Sequence, residues 1–281
     1  MNLDIIVNKY LLMWHLLYQS SVSDDIHKEK QKLWKNHKKE YSLIHKEKSE
    51  ILKDLDNYIP NDDLIYNLLE NSPFYKKIKI ETNRYRLNIL EIWDKNKKKY
   101  TKELNNILKF DLKNEYTICV VHPNLDVIET EFTTNIITIG KKIITRDKDN
   151  FLTYLIYKIM KNEMNKLKTD ERDIVDAVVE LAITNELYTR VSKESKYKIG
   201  KKELRDLKEK IYPYWLMYLG IELEDFDKYM IRDNIFFDKN KYKYQKILRT
   251  IDIYSFIAFL IKNRRIIIKT KLVPVENIEM L

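Results

Sequence analysis

The chain has 281 residues, 44% of them hydrophobic and 34% charged, which excludes the disordered class and allows a sizeable core. Its three glycines and five prolines exclude a large β-sandwich and a glycine-rich phosphate loop. The net charge of +9 permits contact with nucleic acid, an anionic membrane or an acidic protein, although the many Lys, Asn, Ile and Tyr residues are also typical of AT-rich coding. The single cysteine excludes an internal disulfide and fits a reducing compartment.

The first apolar stretch is interrupted by Asp4, Lys9 and His15 and has neither a basic start nor a small-residue cleavage site. We therefore expect a core helix there rather than a signal peptide. The later apolar run from Ile253 to Ile261 is too short to span a bilayer. These observations predict a cytoplasmic protein that makes no membrane contact.

The segment from Ser23 to Ile59 is highly charged, with apolar residues at roughly heptad intervals, and this pattern predicts one long amphipathic helix. A second helix, from about Asn83 to Leu108, is expected to fold back antiparallel to it, with Pro60 and Pro73 marking the breaks. Such a hairpin is either a docking arm for a partner or a structural brace. The four histidines of the N-terminal region, His15, His27, His37 and His45, lack the close i, i+4 spacing of a ligand pair, so we expect ordinary helix residues.

Three short strands are predicted next, over Tyr116–Val121, Val127–Phe132 and Asn135–Ile139. His122 ends the first strand, and Cys119 lies on the same strand on the opposite side by parity. A Cys/His catalytic dyad is therefore not favoured.

Two helices are predicted over Asp149–Lys161 and Asp170–Leu187. The first has one apolar face, and its opposite face carries Tyr154, Tyr157, Lys158 and Lys161. The second is apolar nearly all the way round and should be central and buried. Glu180 is the exception in that apolar run, and a buried carboxylate needs a cation, a metal or several donors.

This order of strand, connection, helix with a polar face and second helix with a buried Glu resembles the gluzincin-like zinc metallopeptidases. In that family the H-E-x-x-H motif supplies two His ligands and a general-base Glu, and a Glu on the following helix completes the site. The motif positions fall on Tyr-Lys-Ile-Met-Lys, from Tyr157 to Lys161, and the third ligand falls on Glu180. The resemblance covers about Tyr116 to Trp215.

The residues at these positions do not suit zinc chemistry. Tyr157 and Lys161 are not normal zinc ligands, and Lys158 cannot act as the carboxylate base. The resemblance therefore implies an inactive enzyme, for which we predict no catalytic residue, no metal and no cofactor. We also hypothesise that Lys161 pairs with Glu180, so that an ammonium replaces the missing cation. The alternative is an ordinary solvated helix face.

The resemblance also implies a peptide groove. In the zincin-like arrangement, the strand before the ligand helix pairs with an extended peptide through its backbone, which requires no metal. The corresponding residues here are Ile136, Ile137, Thr138 and Ile139. The alternative is that this strand is interior or covered.

The most aromatic segment, Tyr212–Gly220, follows a short charged helix. Such rings can stack on single-stranded bases, but we expect core packing because apolar residues accompany them. Further helices are predicted over Glu222–Phe237 and Tyr244–Lys262. The basic, β-prone end from Asn263 to Pro274 is compatible with an added strand, a partner-binding tail or an anion contact.

Together these observations predict a mainly helical α+β protein, with a long helical hairpin in residues 1–112 and a zincin-like core with a small β-sheet in residues 113–281. The indicated function is that of a catalytically inactive metallopeptidase-like protein that binds a peptide or protein partner. The competing interpretation is a basic nucleic-acid-binding protein, supported by the net charge, Arg264–Arg265 and the aromatic segment. An active hydrolase would need a metal site that these residues do not supply.

Overall fold

The computed structural model describes residues 1–19, 23–112, 115–130, 135–143, 148–192, 201–222, 230–232, 235–268 and 272–274. The fold is α+β and mainly helical, as predicted. It divides into two compact units, Met1–Asn96 with Lys113–Lys148, and Lys97–Leu112 with Asp149–Leu281. This division differs from the predicted boundary at residues 112 and 113, because strands that follow residue 113 pair with a strand at the start of the chain.

The first unit contains β1 (Asn2–Ile6), α1 (Lys9–Tyr18), α2 (Asp24–Asn36), α3 (Lys38–Ile44), a 3₁₀ turn (His45–Glu47), α4 (Lys48–Lys53), α5 (Leu64–Asn71), the first part of α6 (Pro73–Leu108), β2 (Glu115–Val120), a 3₁₀ turn (Pro123–Leu125), β3 (Ile128–Thr130) and β4 (Ile136–Ile139). Part of the predicted N-terminal core helix is therefore a strand. The helix predicted to start at Asn83 begins ten residues earlier, at Pro73, which suits the first helical position.

The prediction of one long helix from Ser23 to Ile59 is wrong, because the helix is interrupted at His37 and this segment forms several shorter helices. A straight helix of that length would extend about 55 Å, whereas the 10 residues of α1 span about 15 Å. The break allows α2 and α4 both to pack on α1. Their apolar residues, such as Ile26 and Ile51, thus join one core.

The four-stranded sheet of the first unit has the order β1-β2-β4-β3. β4 pairs in parallel with β2, from Thr117↔Ile136 to Val120↔Ile139, and antiparallel with β3, from Ile128↔Ile139 to Thr130↔Ile137. The three predicted strands are thus present, and the third is an interior strand. Its backbone is paired along both sides from Ile137 to Ile139, so it offers no edge to a peptide.

The second unit contains the end of α6, α7 (Lys148–Asn165), α8 (Arg172–Val179), a π-helix (Glu180–Leu187), α9 (Tyr188–Ser192), a 3₁₀ turn (Lys202–Leu204), α10 (Arg205–Leu219), β5 (Met230–Arg232), α11 (Ile235–Leu248), α12 (Ile253–Lys262), α13 (Arg264–Ile268) and β6 (Leu272–Pro274). The predicted helix over Glu222–Phe237 is wrong at β5, which pairs antiparallel with β6. Within the described ranges, no helix has the length and apolar character needed to cross a membrane.

The aromatic segment lies on α10 and forms the core of the second unit. Tyr214, Trp215 and Tyr218 are fully buried, and the Tyr218 ring lies 4.7 Å from that of Phe256 on α12. Lys109 donates hydrogen bonds to carbonyl oxygens at the ends of α10 and α11, among them those of Tyr218 and Arg249. The predicted core packing is confirmed, and these buried rings offer no surface on which bases could stack.

Candidate functional site

A pocket of about 320 Å³ lies in the second unit between α7, the π-helix and Lys201, the residue before the 3₁₀ turn that leads into α10. Its lining residues are Tyr154, Tyr157, Lys158, Lys161, Glu180, Thr184 and Lys201. All the residues that the sequence resemblance assigned to a degenerate metal site, Tyr157, Lys158, Lys161 and Glu180, therefore line one pocket. We refer to it below as the lysine-tyrosine pocket.

One face of α7 supplies the aromatic wall of the pocket, because residues three and four apart share a side of a helix. Tyr154 is 38% exposed and Tyr157 is 6% exposed. Their rings are stacked, with centroids 6.0 Å apart and planes inclined by 16°. The Lys158 ammonium lies 5.4 Å from the Tyr154 ring centroid. The wall therefore combines a flat aromatic surface with a positive charge.

Glu180 is buried, as predicted, with 2% of its surface exposed. Its two carboxylate oxygens accept hydrogen bonds from the backbone N–H of Lys201, at 3.2 and 3.1 Å. Oε2 also accepts a hydrogen bond from the ammonium of Lys208, at 3.0 Å. Lys208 lies on α10 and is 7% exposed. The carboxylate thus has both the cation and the additional donors that its burial demands.

The hypothesis that Lys161 pairs with Glu180 is wrong, because Lys208 occupies that place. Lys161 instead donates to Asp176 at 3.0 Å, and the Lys201 ammonium lies 3.7 Å from the same carboxylate oxygen. Asp176 precedes Glu180 by four residues, so both carboxylates point from one side of their helix. Four lysines therefore surround two carboxylates, which leaves an excess of positive charge at the pocket.

The Tyr157 hydroxyl is buried and has no hydrogen-bond partner among the residues that the structure describes. Burial raises its pKa above the usual value, and the negative charges of Glu180 and Asp176 raise it further. The hydroxyl is therefore protonated at neutral pH. It is a hydrogen-bond donor without an acceptor, which is a costly arrangement for a buried group.

The π-helix that begins at Glu180 contributes Glu180 and Thr184 to the pocket. π-helical turns are rare, usually last a single turn and are frequent at functional sites. Here the segment has eight residues. Its location at the pocket is a second, independent reason to regard this place as the candidate site.

The Cys/His pair does not form a catalytic dyad. Burial raises the pKa of Cys119 to about 12, with smaller contributions from Asp4 and Asp56, so the thiol stays protonated at neutral pH. The His122 ring contacts Glu81 through Nε2 at 2.9 Å and accepts a hydrogen bond from the Asn124 N–H through Nδ1. Both ring nitrogens of His122 are thus already engaged.

Arg264, which we considered as an anion contact, is paired with acids in the structure. Its guanidinium donates to both oxygens of Asp173, at 3.0 and 2.9 Å, and forms an ion pair with Glu171. These carboxylates raise its pKa, with the hydrogen bond to Asp173 making the largest contribution. One of the two arginines that supported the nucleic-acid interpretation therefore has acidic partners of its own.

In the part of the chain that the structure describes, no three His, Cys, Asp or Glu side chains converge in a way that could hold a metal ion. Comparison of the chain with models of protein families, with curated proteins and with solved structures finds no match. The argument for a function therefore depends on the geometry of the lysine-tyrosine pocket and on the motif positions that line it.

Four residues of the site were not predicted from the sequence: Asp176, Thr184, Lys201 and Lys208. Asp176 had a detectable signal, because it is a second carboxylate in a mostly apolar helix. Lys208 had none, because it lies in an unremarkable charged segment and meets Glu180 only through the packing of α10 on α8.

Proposed function

We propose that the protein is a catalytically inactive, metallopeptidase-like protein that binds a peptide or protein partner at the lysine-tyrosine pocket. The observation that supports this most directly is the convergence of Tyr157, Lys158, Lys161 and Glu180 on one pocket. In the resemblance that the sequence suggests, these are the positions of the two histidines, the general base and the third ligand of the gluzincin-like family.

The chemistry of the pocket argues against hydrolysis. Lys158 stands where a carboxylate would take a proton from the attacking water. Glu180, the position of the third ligand, accepts hydrogen bonds from Lys208 and from the backbone of Lys201, so its oxygens are already engaged. A residue set of this kind can hold a ligand in place but cannot activate a water molecule for attack.

The partner reaches this protein through a side chain rather than through strand addition. β4, the strand that would have received a peptide backbone, is paired on both sides. The lysine-tyrosine pocket, by contrast, is large enough for one or two side chains and has an aromatic wall. Pockets that combine an apolar wall with a few charged groups are the usual places for specific recognition.

The test is retention of peptides from a random peptide pool by the immobilised full chain. We expect the wild-type protein to retain a defined subset, and Thr184→Trp, which fills the pocket, to bind those peptides at least about tenfold more weakly. Lys202→Trp, at an exposed residue that does not line the pocket, is the matched control. Equal retention by the wild type and Thr184→Trp, or peptide cleavage on addition of zinc, would contradict the proposal.

A further inference from the structure

We propose that the lysine-tyrosine pocket binds an oxyanion, the carboxylate or phosphate of a partner side chain, whose apolar part lies against the tyrosine rings. This inference rests on the proposed function, because the oxyanion is carried by the bound peptide. It adds the chemical class of the group that enters the pocket.

The arrangement of charge favours an anion. Lys158 and Lys161 come from α7, and Lys201 comes from the turn before α10, so their ammonium groups approach the pocket from two elements. Asp176 is the shared acidic neighbour of Lys161 and Lys201. An anion that enters the pocket is therefore attracted by three ammonium groups, whereas a cation would be repelled by them.

Glu180 does not oppose this conclusion. Among the described residues, its carboxylate is the only acid that lines the pocket, and it is neutralised by Lys208 and hydrogen-bonded by the Lys201 backbone. The two carboxylates on this side of α8 and the π-helix, Asp176 and Glu180, thus hold the lysine side chains in place. Charge-assisted hydrogen bonds to a carboxylate or phosphate are the strongest that such lysines can form.

The hydroxyl of Tyr157 points to a ligand independently of the lysines. It is a buried donor with no acceptor among the described residues, and it belongs to a side chain that lines the pocket. An oxyanion has several lone pairs and would supply the missing acceptor. The stacked ring of Tyr154 offers the partner's apolar part a partly exposed flat surface.

A peptide side chain fits the site better than a nucleic acid does. Nucleic-acid binding without a base code requires a basic groove that follows several phosphates, with aromatic rings exposed for stacking. Here three lysines line one pocket, Tyr214, Trp215 and Tyr218 are buried, and Arg264 is paired with Asp173 and Glu171. A single oxyanion is what one acidic or phosphorylated residue provides.

The experiment uses three small probes that share a benzene ring: phenyl phosphate, phenylacetate and the neutral phenylacetamide. Binding to the full chain is measured by ligand-observed nuclear magnetic resonance at low salt. We expect phenyl phosphate or phenylacetate to bind at least about tenfold more tightly than phenylacetamide, since a charge-assisted contact is involved. Whichever anion binds more tightly identifies the phosphorylated or the acidic residue as the source.

Variants separate the pocket from the general charge of the chain. Lys158→Gln combined with Lys161→Gln should weaken binding of the anionic probe at least about tenfold, and Tyr157→Phe should weaken it about threefold. Lys166→Gln removes a lysine that lies just beyond α7 and pairs with Glu163, and it should leave binding unchanged. Lys158→Arg keeps the charge and should bind within about threefold of the wild type, which shows that the site tolerates substitution.

The outcomes distinguish this inference from the function on which it rests. Equal binding of phenylacetamide and both anions, with no effect of the Lys158→Gln and Lys161→Gln changes, would overturn the proposal that the pocket binds an oxyanion. Retention of pool peptides would still support the proposed function in that case. Anion binding by a protein that retains no peptide would instead overturn the proposed function. Displacement of phenyl phosphate by a single-stranded oligonucleotide, with a steep dependence on salt, would overturn a peptide as the source of the oxyanion.

Discussion

Glu47 in the first unit and Glu180 in the second are both buried carboxylates, and they are stabilised by different kinds of donor. Glu47 in the first unit accepts hydrogen bonds from the hydroxyls of Tyr58 and Tyr66, at 2.6 and 2.9 Å. Glu180 in the second unit accepts hydrogen bonds from the Lys208 ammonium and from a backbone N–H. Both groups are almost completely buried, so solvation by water does not explain why either is tolerated.

The difference shows what an ammonium achieves that hydroxyls do not. Two tyrosines donate hydrogen bonds to one oxygen of Glu47, Oε2, but add no compensating charge. Lys208 both donates a hydrogen bond to Glu180 and cancels its charge. This cancellation favours the anion binding that we propose for the lysine-tyrosine pocket. With Glu180 neutralised, the remaining lysines determine the sign of the electrostatic potential there.

The largest effect is expected from removing the cation. Lys208→Met would leave Glu180 buried with only the backbone N–H as a donor, and we expect a loss of about 3–5 kcal/mol in the free energy of unfolding. Urea unfolding of the full chain provides the measurement. Adding Glu180→Leu to Lys208→Met should recover most of the loss, and failure of the double variant to recover would show that the pair is not the cause.

A smaller effect is expected when one neutral donor is removed. Tyr66→Phe would leave Glu47 with the single hydroxyl of Tyr58, and we expect a loss of about 2 kcal/mol in the free energy of unfolding. Tyr58→Phe should cost less, because Tyr58 is partly exposed and water can replace its hydroxyl. The same urea titrations would contradict this order if Tyr58→Phe were the more damaging change.

Alkaline pH should destabilise the first unit by ionising Tyr66, whose hydroxyl donates a hydrogen bond to Glu47. Burial raises the pKa of Tyr66 above the usual value, and the charge of Glu47 raises it further. Because the unfolded pKa is about 10, the stabilisation is complete below that pH and is lost as pH rises above it. At pH 11 this group should have lost about 1.4 kcal/mol relative to pH 9. Urea unfolding at both pH values should show a correspondingly smaller decrease for Tyr66→Phe, and an unchanged decrease would refute the assignment.

The smallest effect is expected at the partly exposed lysine. Lys161→Met removes the ion pair between Lys161, whose side chain is 20% exposed, and Asp176, whose side chain is 24% exposed. We expect a loss of less than about 1 kcal/mol in the free energy of unfolding. A smaller loss for Lys161→Met than for Lys208→Met would show that Lys208 stabilises the fold, whereas Lys161 contributes little to stability and can serve in ligand binding. A loss as large as that of Lys208→Met would place Lys161 among the structural residues.

Local features of the fold were predictable because they depend on periodicity. The apolar faces of α7 and α8 and the burial of Glu180 all follow from residues within a few turns of one another. Position 180 is anomalous in its own sequence surroundings, so the need for a partner could be stated before the structure was known.

Features that depend on distant residues were not predictable in this way. Asn2–Ile6 forms a strand because Glu115–Val120 lies beside it, more than a hundred residues later in the chain. The break at His37 arises because α2 and α4 must both pack on α1. The identity of the cation at Glu180 depends on how α10 packs, and Lys161 and Lys208 cannot be distinguished by residue type alone.

Deleting a single residue from Glu180–Leu187 would give this segment the shorter repeat of an ordinary α-helix. Every side chain after the deletion would then turn by about 100° relative to those before it. Arg190, which contacts both Glu186 and Glu103, would be turned away from Glu103. The wide helix thus sets the rotational register between Glu180 and Thr184, which line the pocket, and Arg190, which forms the ion pairs beyond it.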